Sequence, residues 1–135
     1  MFEGFDDTTM EQYREEASQR WGKETVDASY LRWNRHTKEQ QKEMIAQGKL
    51  WVRQLATLMA RDPGDPAVQA MIADHHRSIN ENFYDCSLEV YRGLGDLYVD
   101  DSRFTAYYDD VQPGLAAFMR AAMHVYVDRQ EAGVK

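Results

Sequence analysis

Apolar side chains recur along this chain at the 3.6-residue period of an α-helix, and no segment alternates apolar and polar residues long enough to make a strand. That pattern restricts the chain to an all-α fold. From Thr37, a residue suited to an N-cap, one side of a long helix collects Met44, Gly48, Trp51, Val52, Leu55, Leu58 and Met59, with Lys49 and Arg53 opposite. The run Asp62-Pro63-Gly64-Asp65-Pro66 interrupts the period. It reads as a turn, because Asp65 can cap and Pro66 can open a following helix. Val68, Ile72, His75, Ile79 and Phe83 then share one stripe.

The same signals predict a first helix that starts from a cap among residues 6–9 and ends near Trp21-Gly22, and a second over 25–34. Further helices are expected over 87–99, 102–109 and 113 to about 130, the last burying Leu115, Phe118, Met119, Ala122 and Tyr126. Together these make one domain of six to seven helices spanning 1–135, without repeats.

Sixteen basic against 23 acidic residues give a net charge of −7, and no helix face gathers Lys and Arg. Direct nucleic-acid binding is not expected, since phosphate contacts need a positive patch. A lone cysteine excludes an internal disulfide, and no apolar run approaches the roughly 20 residues of a membrane span. We expect a soluble, cytoplasmic protein. The first 50 residues hold few Leu, Ile or Val but include Phe2, Phe5, Tyr13, Trp21, Tyr30 and Trp33 among many charges. Because ordering costs about 1–2 kcal/mol per residue in backbone entropy, residues 1–36 are expected to form a lid that a ligand or a second chain helps to order.

The stretch 83–119 sets aromatics, the cysteine and three glycines on adjoining helices. Its pieces Tyr84-Asp85-Cys86, Leu94-Gly95-Asp96-Leu97-Tyr98-Val99, Arg103-Phe104-Thr105 and Pro113-Gly114-Leu115-Ala116-Ala117 occur in that order at close spacing. They resemble the C-terminal antibiotic-recognition domain of TipA-type, MerR-family regulators. Phe2-Glu3-Gly4-Phe5, Arg20-Trp21-Gly22, Thr37-Lys38-Glu39 and Asp74-His75 extend the resemblance over nearly the whole chain. It implies a globin-like helical domain that captures peptide-like antibiotics such as thiopeptides, either as the effector half of a regulator or as a free sequestering protein.

Cys86, next to Ser87 at a helix start, is either a thiol of lowered pKa able to add to dehydroamino acids or a small buried hydrophobe. In the resembling antibiotic binders covalent capture is associated with a second cysteine seven residues on, where this chain has Gly93. Reversible binding is therefore expected. Gly95 serves tight helix packing or forms a cleft floor, and His75 is a hydrogen-bonded core histidine or a polar contact in an apolar pocket. Asp74 is read as pointing away from that face.

Phe104, Tyr107 and Tyr108 either close the cleft or anchor the sixth helix, and Asp100-Asp101 and Asp109-Asp110 are explained by capping. The expected ligand surface is Trp33, Trp51, His75, Ile79, Phe83, Tyr84, Cys86, Tyr91, Leu94, Gly95 and Tyr98. No catalytic residue, metal or cofactor is expected. A globin-like tetrapyrrole site using His75, and a helical surface that pairs two chains into a homodimer, are the alternatives.

Overall fold

The computed structural model describes residues 7–133. Phe2-Glu3-Gly4-Phe5 and Asp6 lie outside the described residues, as does the side chain of Tyr13, so the expected first cap and three of the expected lid aromatics are not placed. Among the described residues the fold is all-α, with helices α1 (Asp7–Trp21), α2 (Lys23–Asn34), α3 (Lys38–Ala56), α4 (Pro66–Asn82), α5 (Leu88–Asp100), α6 (Ser102–Val111) and α7 (Leu115–Glu131).

Local chemistry sets the boundaries. Gly22 adopts φ 96°, a conformation that separates α1 from α2 without a Cβ penalty. Thr37 and Gln40 form a reciprocal capping box, with the Gln40 amide donating to Thr37 Oγ1 at 3.0 Å and the Thr37 amide donating to Gln40 Oε1 at 2.8 Å. Asp65 accepts from the Ala67 amide ahead of Pro66, and Ser87 accepts from the Val90 amide at the head of α5. Asp101 accepts from the Arg103 amide, and Asp109 from the Ala116 amide across the α6–α7 turn. α3 ends at Ala56, earlier than the apolar stripe suggests, so Leu58 and Met59 pack on the core from the turn beyond it.

The core is built where α5 lies along α7. Tyr91, Leu94, Leu97 and Tyr98 meet Leu115, Ala116, Met119, Ala122, Met123 and Val127, all buried. Gly95 faces α7, where an added Cβ would lie 3.5 Å from Arg120 Cα and from Met123, an ordinary contact distance. The position is covered by α7, so the cleft-floor alternative is corrected. α4 adds Val68, Ile72 and Ile79, and α6 adds Phe104 and Tyr108. Among its described side chains the α1–α2 hairpin contributes Ala17 and Val26 to the buried core, with Tyr30 partly buried against it.

Candidate functional site

Two clefts open on either side of the corner where α4 gives way to α5. The first encloses about 580 Å³ between α3, α4 and α6, with Trp33 of α2 at its edge. The second encloses about 470 Å³ between the α1–α2 hairpin and α5. Phe83 lines the first cleft and its neighbour Tyr84 the second.

The walls of the first cleft are two aromatic stacks. Trp51 lies on His75 with ring centres 4.9 Å apart and planes 19° apart, and Trp33 lies on Phe83 at 5.2 Å and 12°. The helical spacing of α3 and α4 brings Trp51 and His75 face to face, and each is fixed from behind. Trp51 Nε1 donates to the Met71 carbonyl at 3.3 Å, while His75 Nδ1 is 2.8 Å from the Tyr91 hydroxyl. Ile79 completes the apolar floor, and Tyr107 and Tyr108 close one end. Glu43 and Gln47 of α3 and Asp74, Ser78 and Asn82 of α4 form polar rims, each set spaced to share a helix face. Asp74 therefore belongs to the rim, where the sequence reading turned it away.

The second cleft is lined by Ala17, Trp21, Val26 and Tyr30 of the hairpin and by Tyr84, Val90, Gly93 and Leu94 opposite. The Arg14 guanidinium lies 4.1 Å over the Tyr30 ring. A Cβ added at Gly93 would meet nothing within 4 Å.

The corner between the clefts is tied by a compact polar knot. The Cys86 amide donates to Asn80 Oδ1 at 2.7 Å, and Asn80 Nδ2 donates back to the His76 carbonyl at 3.1 Å. His76 Nε2 donates to the Cys86 carbonyl at 2.7 Å, which leaves Nδ1 to accept from the Tyr126 hydroxyl at 3.0 Å. Arg32 reaches this corner from α2, donating to the Asn80 carbonyl at 2.9 Å and to Asp85 at 3.2 Å.

Of the expected ligand surface, Trp33, Trp51, His75, Ile79 and Phe83 share the first cleft, and Tyr84 and Leu94 share the second. Four residues are corrected. Tyr91 and Tyr98 have no exposed surface because α5 turns them inward, Tyr91 toward His75 and Tyr98 against Phe104 and Tyr108. Gly95 is covered by α7. Cys86 is buried, and burial pushes its thiol up to about 12 despite a hydrogen bond to Tyr84 that acts the other way. The lowered pKa of a reactive thiolate is thus contradicted: loss of solvent outweighs proximity to a helix start.

Phe104 is buried and anchors α6, whereas Tyr107 and Tyr108 reach the cleft edge. Sequence reasoning missed the role of His76 and Asn80, although Asn80 lies one turn after His76 on the same face. It also left out Trp21, Tyr30 and Val90 of the second cleft, for which the aromatic-rich, aliphatic-poor N-terminus was the available signal.

Among the described residues, seven helices around two apolar clefts define a globin-like, ligand-accommodating helical domain. A family model described as the TipAS antibiotic-recognition domain matches residues 13–126, and the chain belongs to that family. It is 33% identical over 119 residues to the HTH-type transcriptional activator mta of Bacillus subtilis, covering 88% of this chain and 46% of that protein. It is 39% identical over 127 residues to the HTH-type transcriptional activator TipA of Streptomyces coelicolor, covering 90% and 49% respectively. The chain spans about half the length of the curated relatives it matches. Among solved structures, TipAS of Streptomyces lividans in complex with nosiheptide, from a thiopeptide antibiotic multidrug resistance system, superposes with a TM-score of 0.81. That match is 33% identical and covers 96% of this chain and 92% of the other. No helix among the described residues is long and apolar enough to cross a membrane.

Proposed function

We propose that this domain captures a peptide-like, heterocycle-rich antibiotic of the thiopeptide class or a similar one, by binding without turnover. The capture serves drug sensing in a transcriptional activator or direct sequestration. The observation that carries the reading is the pair of aromatic stacks, Trp51 on His75 and Trp33 on Phe83, in one cleft. Flat heterocycles gain most from such faces, and the polar rims can fix their orientation. Residues 1–36 act as a lid, because Trp33 joins the first cleft while Trp21 and Tyr30 form one wall of the second.

Calorimetric titration with a panel of thiopeptides that includes nosiheptide tests this directly. Trp51→Ala or Phe83→Ala should weaken binding by about 1–3 kcal/mol each, the range for truncating a buried aromatic anchor. Unchanged affinity in well-folded variants moves the site elsewhere. Capture is reversible, because the place of the attaching cysteine in the resembling binders is Gly93 and the one thiol present is buried. Denatured complexes should therefore show unmodified protein by intact mass. Gly93→Cys, which sets a thiol in open space beside the second cleft, should yield an adduct with a dehydroamino-acid-bearing thiopeptide.

A further inference from the structure

We propose that the first cleft selects, among flat aromatic ligands, those that carry a positive charge. The inference rests on reading that cleft as the ligand site and adds the charge class of what it takes. Its lining contains two charged side chains of fixed sign, Glu43 and Asp74, both acidic, and neither Lys nor Arg among the described residues. The rest of the rim is neutral amide and hydroxyl.

Glu43 is hydrogen-bonded by the Gln47 amide at 2.9 Å, which orients the carboxylate without cancelling its charge. Asp74 is paired with Arg77, and that arginine lies outside the cleft lining, so Glu43 carries the larger share of the field. Below the rim lie the indoles of Trp51 and Trp33, each with one face stacked on His75 or Phe83, and indole is the ring that best attracts a cation. Carboxylates at the mouth and negative ring faces on the walls act in the same direction. Apolar walls concentrate that field inside the cleft, and the net charge of −7 adds to it at longer range. An anionic ligand of the same shape finds no cation to meet.

A matched probe set isolates charge from shape: N-methylacridinium, acridine and acridine carboxylate, titrated at neutral pH, where acridine is uncharged, with tryptophan fluorescence as the readout. The cation should bind more tightly than acridine by about 2- to 5-fold for each carboxylate engaged, as expected for solvent-exposed cation–π contacts and ion pairs. The carboxylate should bind more weakly than acridine, and added salt should compress the series. Glu43→Gln should narrow the cation-to-neutral ratio, and Asp74→Asn should narrow it less. Equal affinities for the three probes, failure of N-methylacridinium to bind, or a ratio unchanged in both variants would overturn the proposal.

Competition with nosiheptide separates this outcome from the antibiotic reading. If the probes bind with the expected ratio but the protein takes no thiopeptide, charge selection stands and the antibiotic assignment fails. If nosiheptide displaces all three probes from equal affinities, the assignment stands and charge selection fails.

Discussion

The α1–α2 hairpin and the α5–α7 pair are both antiparallel helix pairs, yet they are held in opposite ways. α5 and α7 share a continuous aliphatic and aromatic seam from Tyr91 and Leu94 to Met119, Met123 and Val127, with Gly95 facing α7. Among its described side chains the hairpin buries Ala17 and Val26 and packs Tyr30 on the core, and further attachments include Arg103 donating to Glu16 at 2.7 Å, Arg32 on the Asn80 carbonyl, and Trp33 stacked on Phe83. Exposed ion pairs contribute at most about 1 kcal/mol each, against about 1–2 kcal/mol of backbone entropy per ordered residue. The comparison teaches that the two pairs draw on different amounts of buried surface, which is the ground for the proposal that the hairpin responds to ligand.

The largest expected effect breaks the strong side. Met119→Ala should destabilise the domain by about 2–5 kcal/mol, the range for removing a fully buried Met side chain, measured by urea titration. Val26→Ala in the hairpin should cost clearly less. Equal losses would mean that the hairpin belongs to the same cooperative core.

Ligand binding should sharpen the contrast from the other side. At free antibiotic near one hundred times the dissociation constant, the domain should gain about 2.7 kcal/mol. By hydrogen exchange, amide protection over residues 7–36 should rise more than over 115–131. If the hairpin is already as protected as α7 in the free protein, the clefts are preformed and the lid reading fails.

The smallest effect concerns Cys86, on the strong side. Burial pushes its thiol up to about 12 from the ordinary 9.0, so the folded state holds its proton more tightly than the unfolded chain does. The stabilising contribution is complete below the unfolded value and is lost as pH rises from there through the folded value. Stability should therefore decline modestly over that alkaline window in the wild type and less in Cys86→Ala, each followed by denaturant midpoint. In the native protein at neutral pH, iodoacetamide should label Cys86 far more slowly than in the unfolded chain.

Periodicity made the helices legible, and caps such as Thr37, Asp65 and Ser87 placed their starts, because both signals are local to the chain. The first cleft was legible in part for the same reason: Trp51, His75, Ile79 and Phe83 stand on the apolar stripes of α3 and α4. What could not be read was which side of α5 faces inward. Its apolar residues cover more than half the helix, so Tyr91 and Tyr98 were as eligible for the cleft as Val90, and only α7 packing over Gly95 decides between them. The burial of Cys86 was one of the two readings that the sequence offered, whereas the backbone bonds that tie it to His76 and Asn80 depend on other turns of the chain.

Phe83 and Tyr84 are consecutive in the chain, and their rings serve different chambers. Both backbone amides donate to the single Ile79 carbonyl, at 2.9 and 3.1 Å, so the two rings turn on one pivot. A shift of the backbone at this turn therefore moves a wall of each chamber at once.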